Sequence, residues 1–178
     1  MTEERMFEIN FLKFKVEDFN NKKEKLLNML KEYPESKKDY QNFYTNRQSD
    51  RTGLIQKFRE ICKDEIEQIS KTFKVGFKIS DMWSVTYEKG NYHPVHNHGS
   101  IGLTGLLYLQ ADEYASPTIY LQPWTEHITD KTLYYRMPSV EGTIVITPKF
   151  LHHFTEPHDA IEDKKVIAFD IDIDADKR

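Results

Sequence analysis

The spacing of apolar residues changes character once along this chain, near residue 76, and that change restricts the fold more than any other feature. Upstream of it, Leu54, Ile55, Phe58, Ile61, Cys62, Ile66, Ile69 and Phe73 recur at the i, i+3/i+4, i+7 spacing that gives a helix one apolar face, which predicts a helix from Thr52 to about Phe73. A second helix is predicted from Glu17 to about Lys31, with Phe19, Leu26, Leu27 and Leu30 as its buried side and Pro34 beyond its end. Downstream, β-branched and aromatic residues come in short runs separated by Gly, Pro, Asn and Asp: Phe77 to Tyr87, His96 to His98, Leu103 to Gln110, Thr118 to Gln122, Thr143 to Thr147 and Lys165 to Ile173. Helices first and strands afterwards predict a mainly β (α+β) fold, a barrel or jelly roll with the N-terminal helices packed on one side.

Two further segments complete this reading. Phe7 to Val16 alternates roughly between apolar and polar, as a leading strand would, and such a strand either closes the barrel edge or pairs with a second subunit to make a homodimer. Glu35 to Arg51 is polar and reads as a long loop anchored by Tyr40, Phe43 and Tyr44. The 178 residues suffice for one domain, with 1–76 as helical support and 77–174 as the strand-built core.

Composition narrows the function classes. Aromatic residues make up 13% of the chain, which marks it as globular despite a mean hydropathy of −0.70. The net charge is −4, and lysine runs such as 21–25 are interleaved with acids, so no basic stripe for nucleic acid emerges. No apolar stretch approaches the ~18 residues of a membrane span and Met1 to Arg5 does not read as a leader, so a cytoplasmic protein is expected. The single cysteine, Cys62, forms no internal disulfide and lies on an apolar helix face, consistent with a reducing compartment.

The chemistry lies in the histidines. His96 and His98 form an H-x-H pair, and alternate residues of a strand share a face, so two imidazoles here would make half of a transition-metal site. His153 follows 55 positions after His98, just before a strand-like run. The pair alone reads equally as a surface loop rich in His, Asn and Gly. What lies around it is Trp83, Gly90, Thr104-Gly105-Leu-Leu-Tyr108, and Gly142-Thr-Ile-Val-Ile-Thr-Pro148 running into Leu151, His153 and Pro157.

Together these elements, from roughly Asp81 to Ile173, resemble a small H-x-H…H branch of the 2-oxoglutarate/Fe(II)-dependent oxygenases, in the prolyl-hydroxylase-like superfamily. The resemblance implies a double-stranded β-helix, a jelly roll with iron in its mouth. It places the metal ligands on His96, His98 and His153, with neighbouring His152 turned away by strand alternation. It places the far-carboxylate partner of 2-oxoglutarate on Lys164, 11 residues after His153, where the pattern has Arg. Val166 replaces a serine that helps hold that carboxylate, so a hydroxyl from Tyr108, Thr118 or Tyr120 would take its part. The implied activity is a dioxygenase, a hydroxylase using Fe(II), 2-oxoglutarate and O2 and releasing succinate and CO2, with no primary substrate indicated. A cupin-like metalloprotein without 2-oxoglutarate and a non-catalytic jelly-roll binding module are the competing readings.

The other polar candidates have plainer readings. His93 beside Pro94 reads as a turn residue, and His127, His152 and His158 as surface or supporting residues. Asp112, Glu113 or Asp159 would be the acid to complete the metal shell in place of His98. Asp170, Asp172, Asp174 and Asp176 read as the solvated face of the last strand. The loop from Ala111 to Pro117 and the stretch from Trp124 to Met137, with Tyr134, Tyr135 and Arg136, are expected to border the mouth.

Overall fold

The computed structural model of the chain describes residues 8–38, 41–73, 76–126 and 129–174, so that Phe7, Tyr40, His127 and Asp176 lie outside the described residues. The element order is β1 (Leu12–Lys15), α1 (Phe19–Lys31), β2 (Tyr44–Thr45), α2 (Leu54–Ile61), α3 (Lys63–Phe73), β3 (Gly76–Tyr87) and β4 (His93–His96). It continues with β5 (Leu103–Gln110), β6 (Thr118–Glu126), β7 (Lys131–Met137), β8 (Thr143–Pro148), β9 (His153–Thr155) and β10 (Lys164–Asp174). Two antiparallel sheets result, six-stranded in the order β1-β8-β5-β10-β3-β2 and four-stranded in the order β4-β9-β6-β7. This is the mainly β, jelly-roll architecture expected, with the helices on one side.

The period-2 alternation of the strands explains the layering. On the large sheet, Leu107, Leu109, Ile144, Ile146, Ile167, Phe169 and Ile171 face the helices and pack with Leu26, Leu30, Leu54, Phe58, Cys62 and Ile69. Their neighbours Leu106, Tyr108, Val145, Val166 and Ala168 face the other way, into a second core with Tyr120 and Met137 of the small sheet. A sheet covered on both faces needs near-continuous apolar strands, which is why β5 is buried along all but its two ends. Gly105 belongs to this scheme. A Cβ built on it would lie 2.2 Å from Cζ of Phe169, its register partner on β10, so the Phe169 ring occupies the space of the missing side chain.

Several expectations are corrected. The apolar stretch over Thr52 to Phe73 divides at Cys62, whose backbone (φ −104°, ψ 34°) leaves the helical range, into α2 and α3. Across the break, Phe58, Cys62 and Ile69 all stay buried in the core against the large sheet. The leading strand is shorter than Phe7 to Val16, because only Leu12–Lys15 joins a ladder, with β8 at the sheet edge. The loop from Glu35 to Arg51 adds β2 to the free edge of β3, where buried Asn46 accepts from the Ser84 N–H at 2.8 Å and donates to the Tyr33 carbonyl at 3.2 Å. Trp124 to Met137 is largely hairpin, the end of β6 and all of β7. No described helix is long and apolar enough to cross a membrane.

Candidate metal centre

His96 ends β4 and lies beside His153 of β9 in register, and His153 in turn lies beside Tyr120 of β6, so the small sheet carries two of the imidazoles. His98 is not on a strand, contrary to the expectation for His96 to His98. The chain turns after His96, with Asn97 Oδ1 accepting from the Gly99 N–H at 3.2 Å and Gly99 at φ 111°. His98 is nevertheless fixed, because its backbone N–H donates to the Lys149 carbonyl at 3.0 Å. One ligand atom from each of His96, His98 and His153 lies within 4.8 Å of the others. His152 is exposed, as strand alternation requires of the neighbour of buried His153.

The hydrogen bonds set the tautomers. Nδ1 of His96 meets the Pro94 carbonyl at 2.8 Å, Nδ1 of His153 meets the Leu151 carbonyl at 3.0 Å, and Nδ1 of His98 meets Asp170 Oδ1 at 2.8 Å. Each acceptor requires a proton on Nδ1, which leaves the Nε2 lone pair free on all three rings. Burial, above all, holds His153 down at about 3 and His96 at about 4, so both are neutral near pH 7, the form that binds metal. Three imidazole ligands suit a divalent transition metal and leave its other coordination positions open.

Asp170 is the main correction here. It is buried rather than part of a solvated face, and it links His98 to Lys149, whose Nζ lies 3.9 Å from its second oxygen. Asp172 does face solvent and pairs with the same lysine at 2.9 Å. None of Asp112, Glu113 and Asp159 joins the histidine cluster, so the acid at the site acts through His98.

One narrow cavity holds the three imidazoles together with Arg47, Trp83, Tyr87, Thr118, Lys164 and the apolar side chains of Val85, Leu106, Val166 and Ala168. Lys164 is 1% exposed. Its ammonium donates to the Ser116 carbonyl at 2.6 Å and lies over the rings of Tyr87 and Tyr108, and burial lowers its pKa to about 7. Tyr108 is fully buried behind this wall and donates to Thr118 Oγ1 at 3.0 Å, while the Tyr120 ring packs 5.3 Å from that of His153.

The remaining residues fall into place around this cavity. His93 is a strand residue, not a turn residue. It stacks on His96 at 4.0 Å and its Nδ1 meets the Tyr87 hydroxyl at 3.0 Å, but it is outside the ligand cluster. His158 is buried, and its Nδ1 accepts from the Ser116 N–H at 3.4 Å, which braces the acceptor of Lys164. From the loop Ala111 to Pro117, Ser116 thus supports the cavity floor, while Ala111, Asp112, Glu113, Ala115 and Pro117 line a separate surface recess. Trp124, Tyr134 and Tyr135 line a neighbouring apolar groove of about 280 Å³ with Ile9 and Phe11, which abuts the site through Tyr120 and Leu151. The sequence reading missed Arg47 and the role of Asp170, and no local pattern marks either.

No protein-family model and no curated protein matches this sequence. Solved structures do match, and the fold is that of the 2-oxoglutarate/Fe(II)-dependent oxygenases. An oxidoreductase of the 2OG-Fe(II) oxygenase family from Burkholderia pseudomallei superposes with a TM-score of 0.70 at 9% identity, over 91% of this chain and 84% of that one. HygX from Streptomyces hygroscopicus, solved with nickel, 2-oxoglutarate and hygromycin B bound, gives 0.65 at 10% identity over 92% and 83%. A Pseudomonas putida prolyl-4-hydroxylase gives 0.61 at 9% identity over 92% of each chain.

Proposed function

We propose that this chain is an Fe(II)- and 2-oxoglutarate-dependent dioxygenase that hydroxylates its substrate. The observation that carries the reading is the convergence of three imidazoles with free Nε2 lone pairs on a cavity that also contains a fully buried lysine. Iron with 2-oxoglutarate supplies the oxidising power when bound, the keto acid being converted to succinate and CO2 as oxygen enters the substrate.

The chain's own residues hold, orient and exclude. His96, His98 and His153 would hold the metal, and three ligands leave room for a chelating keto acid and O2. Lys164 would meet the far carboxylate. The Ser116 carbonyl uses one of its three ammonium donors, leaving two for an incoming anion, and that anion would restore the charged form that burial disfavours. Thr118, with Tyr108 hydrogen-bonded behind it, offers the hydroxyl that Val166 does not, and Tyr120 packs the His153 ring in place. Val85, Leu106, Val166 and Ala168 keep the walls dry. The likeness in fold to HygX, whose structure contains 2-oxoglutarate, supports this reading.

The test is anaerobic addition of Fe(II) and then 2-oxoglutarate, following the visible charge-transfer band of the chelated keto acid. The band should form, and Lys164→Ala should abolish it while iron binding persists. Iron binding by the unaltered chain without the band would instead indicate the cupin-like reading, and no iron binding would leave a non-catalytic module.

A further inference from the structure

We infer that Arg47 is the recognition point for a carboxylate on the primary substrate. The inference rests on the oxygenase reading for its substrate, but it arises from a different residue and a different part of the cavity.

Arg47 follows β2, the short strand that the 35–51 loop adds to the edge of β3, and this pairing brings it to the cavity of the three histidines. Its guanidinium lies 4.2 Å over the Trp83 ring, and Trp83 in turn stacks against His98 at 5.4 Å. Stacking fixes the plane of a guanidinium while leaving its N–H edge free for a planar, two-oxygen acceptor.

The other cations at or near the site have counter-charges or an assigned one. Lys149 has Asp170 and Asp172, Arg51 has Asp81, and Lys164 would have the far carboxylate of 2-oxoglutarate. Arg47 has no acidic partner among the described residues. Lys164 is at the buried end of the cavity, whereas Arg47 is exposed where the cavity opens, which is where a substrate arriving after the co-substrate would first meet it. A single guanidinium in a chain of net charge −4 suits a monocarboxylate better than a polyanion.

Trp83 is also the reporter, since the chain has two tryptophans and Trp124→Phe leaves it alone. In that background, loaded with Zn(II) and 2-oxoglutarate so that no turnover occurs, its emission is followed during titration with acetate, propionate and phenylacetate and with the amide of each. At least one acid should bind about tenfold more tightly than its amide. Arg47→Gln should erase that preference, Arg47→Lys should retain part of it, and Arg47→Gln should leave 2-oxoglutarate affinity within about twofold. The inference is overturned if every acid binds no better than its amide, or if Arg47→Gln weakens 2-oxoglutarate as much as the acid, which would make Arg47 part of the co-substrate site. Should Zn(II) or 2-oxoglutarate fail to bind while the Arg47-dependent preference for the acid persists, the oxygenase reading falls and the carboxylate site stands.

Discussion

Replacing Lys164 by methionine should stabilise the metal-free protein while removing its capacity for 2-oxoglutarate. The side chain is 1% exposed, and burial lowers its pKa from 10.5 to about 7. At about 1.4 kcal/mol per pH unit, that displacement opposes folding by on the order of 5 kcal/mol below pH 7, where the folded chain must bury a charged ammonium. Between pH 7 and 10.5 the unfolded chain binds the proton and the folded one does not, so wild-type stability rises with pH through this window. Methionine is of similar length and uncharged. It withdraws one donor from the Ser116 carbonyl, which keeps the Ser139 hydroxyl at 2.7 Å, at a cost of about 1 kcal/mol. The expected result in urea titrations is a gain of about 2–4 kcal/mol at pH 6 that vanishes near pH 10, with a divalent metal raising the midpoint of both proteins and 2-oxoglutarate, added to the metal-loaded proteins, raising that of the wild type alone. If the methionine variant were less stable by the same amount at both pH values, Lys164 would be an ordinary structural donor and the argument from desolvation would be wrong.

Asp170→Asn keeps the size of the side chain that His98 meets at 2.8 Å but removes its charge, and should weaken Zn(II) affinity about 10- to 100-fold in a chelator competition; a change under about twofold would assign Asp170 to orientation only. Gly105→Ala should destabilise the fold by about 1–3 kcal/mol, since the Phe169 ring that fills its space is itself pressed against Phe58 at 5.5 Å; an unchanged urea midpoint would show that the ring can withdraw. Glu65→Ala should cost about 3 kcal/mol, because this buried carboxylate accepts from Lys22 Nζ at 2.9 Å and from the Glu17 N–H at 3.1 Å; a loss below about 0.5 kcal/mol in thermal or urea unfolding would contradict it.

The strands that the sequence marks most clearly, β3, β5, β8 and β10, are those of the sheet buried on both faces, where apolar runs are long and turn residues sharp. The three histidines were legible as candidates by type and spacing, although the alternation argument fails for His98, which a turn and one backbone hydrogen bond aim inward instead. The break at Cys62 has no Gly or Pro to announce it, and the apolar periodicity runs through it unchanged. Asp170 was unreadable for a related reason. An acid alternating with isoleucines looks the same whether the opposite face meets water or a second sheet, and only the tertiary arrangement decides. Arg47 sits in a polar loop whose pairing with β3 joins residues some forty positions apart.

Strand β10 carries two kinds of residue back to back. Lys164, Val166 and Ala168 line the cavity and Asp170, on the same side, meets its ligand His98, while Ile167, Phe169 and Ile171 face the helices. It therefore behaves as a party wall, shared by two rooms that serve different ends. Deleting a single residue between Lys164 and Asp170 would turn one of them away from that side and, by the same step, drive an apolar side chain out of the helical layer. Register errors would be punished by the folding core before they could reach the chemistry, and the spacing of those two charged groups is guarded by residues that never touch the site.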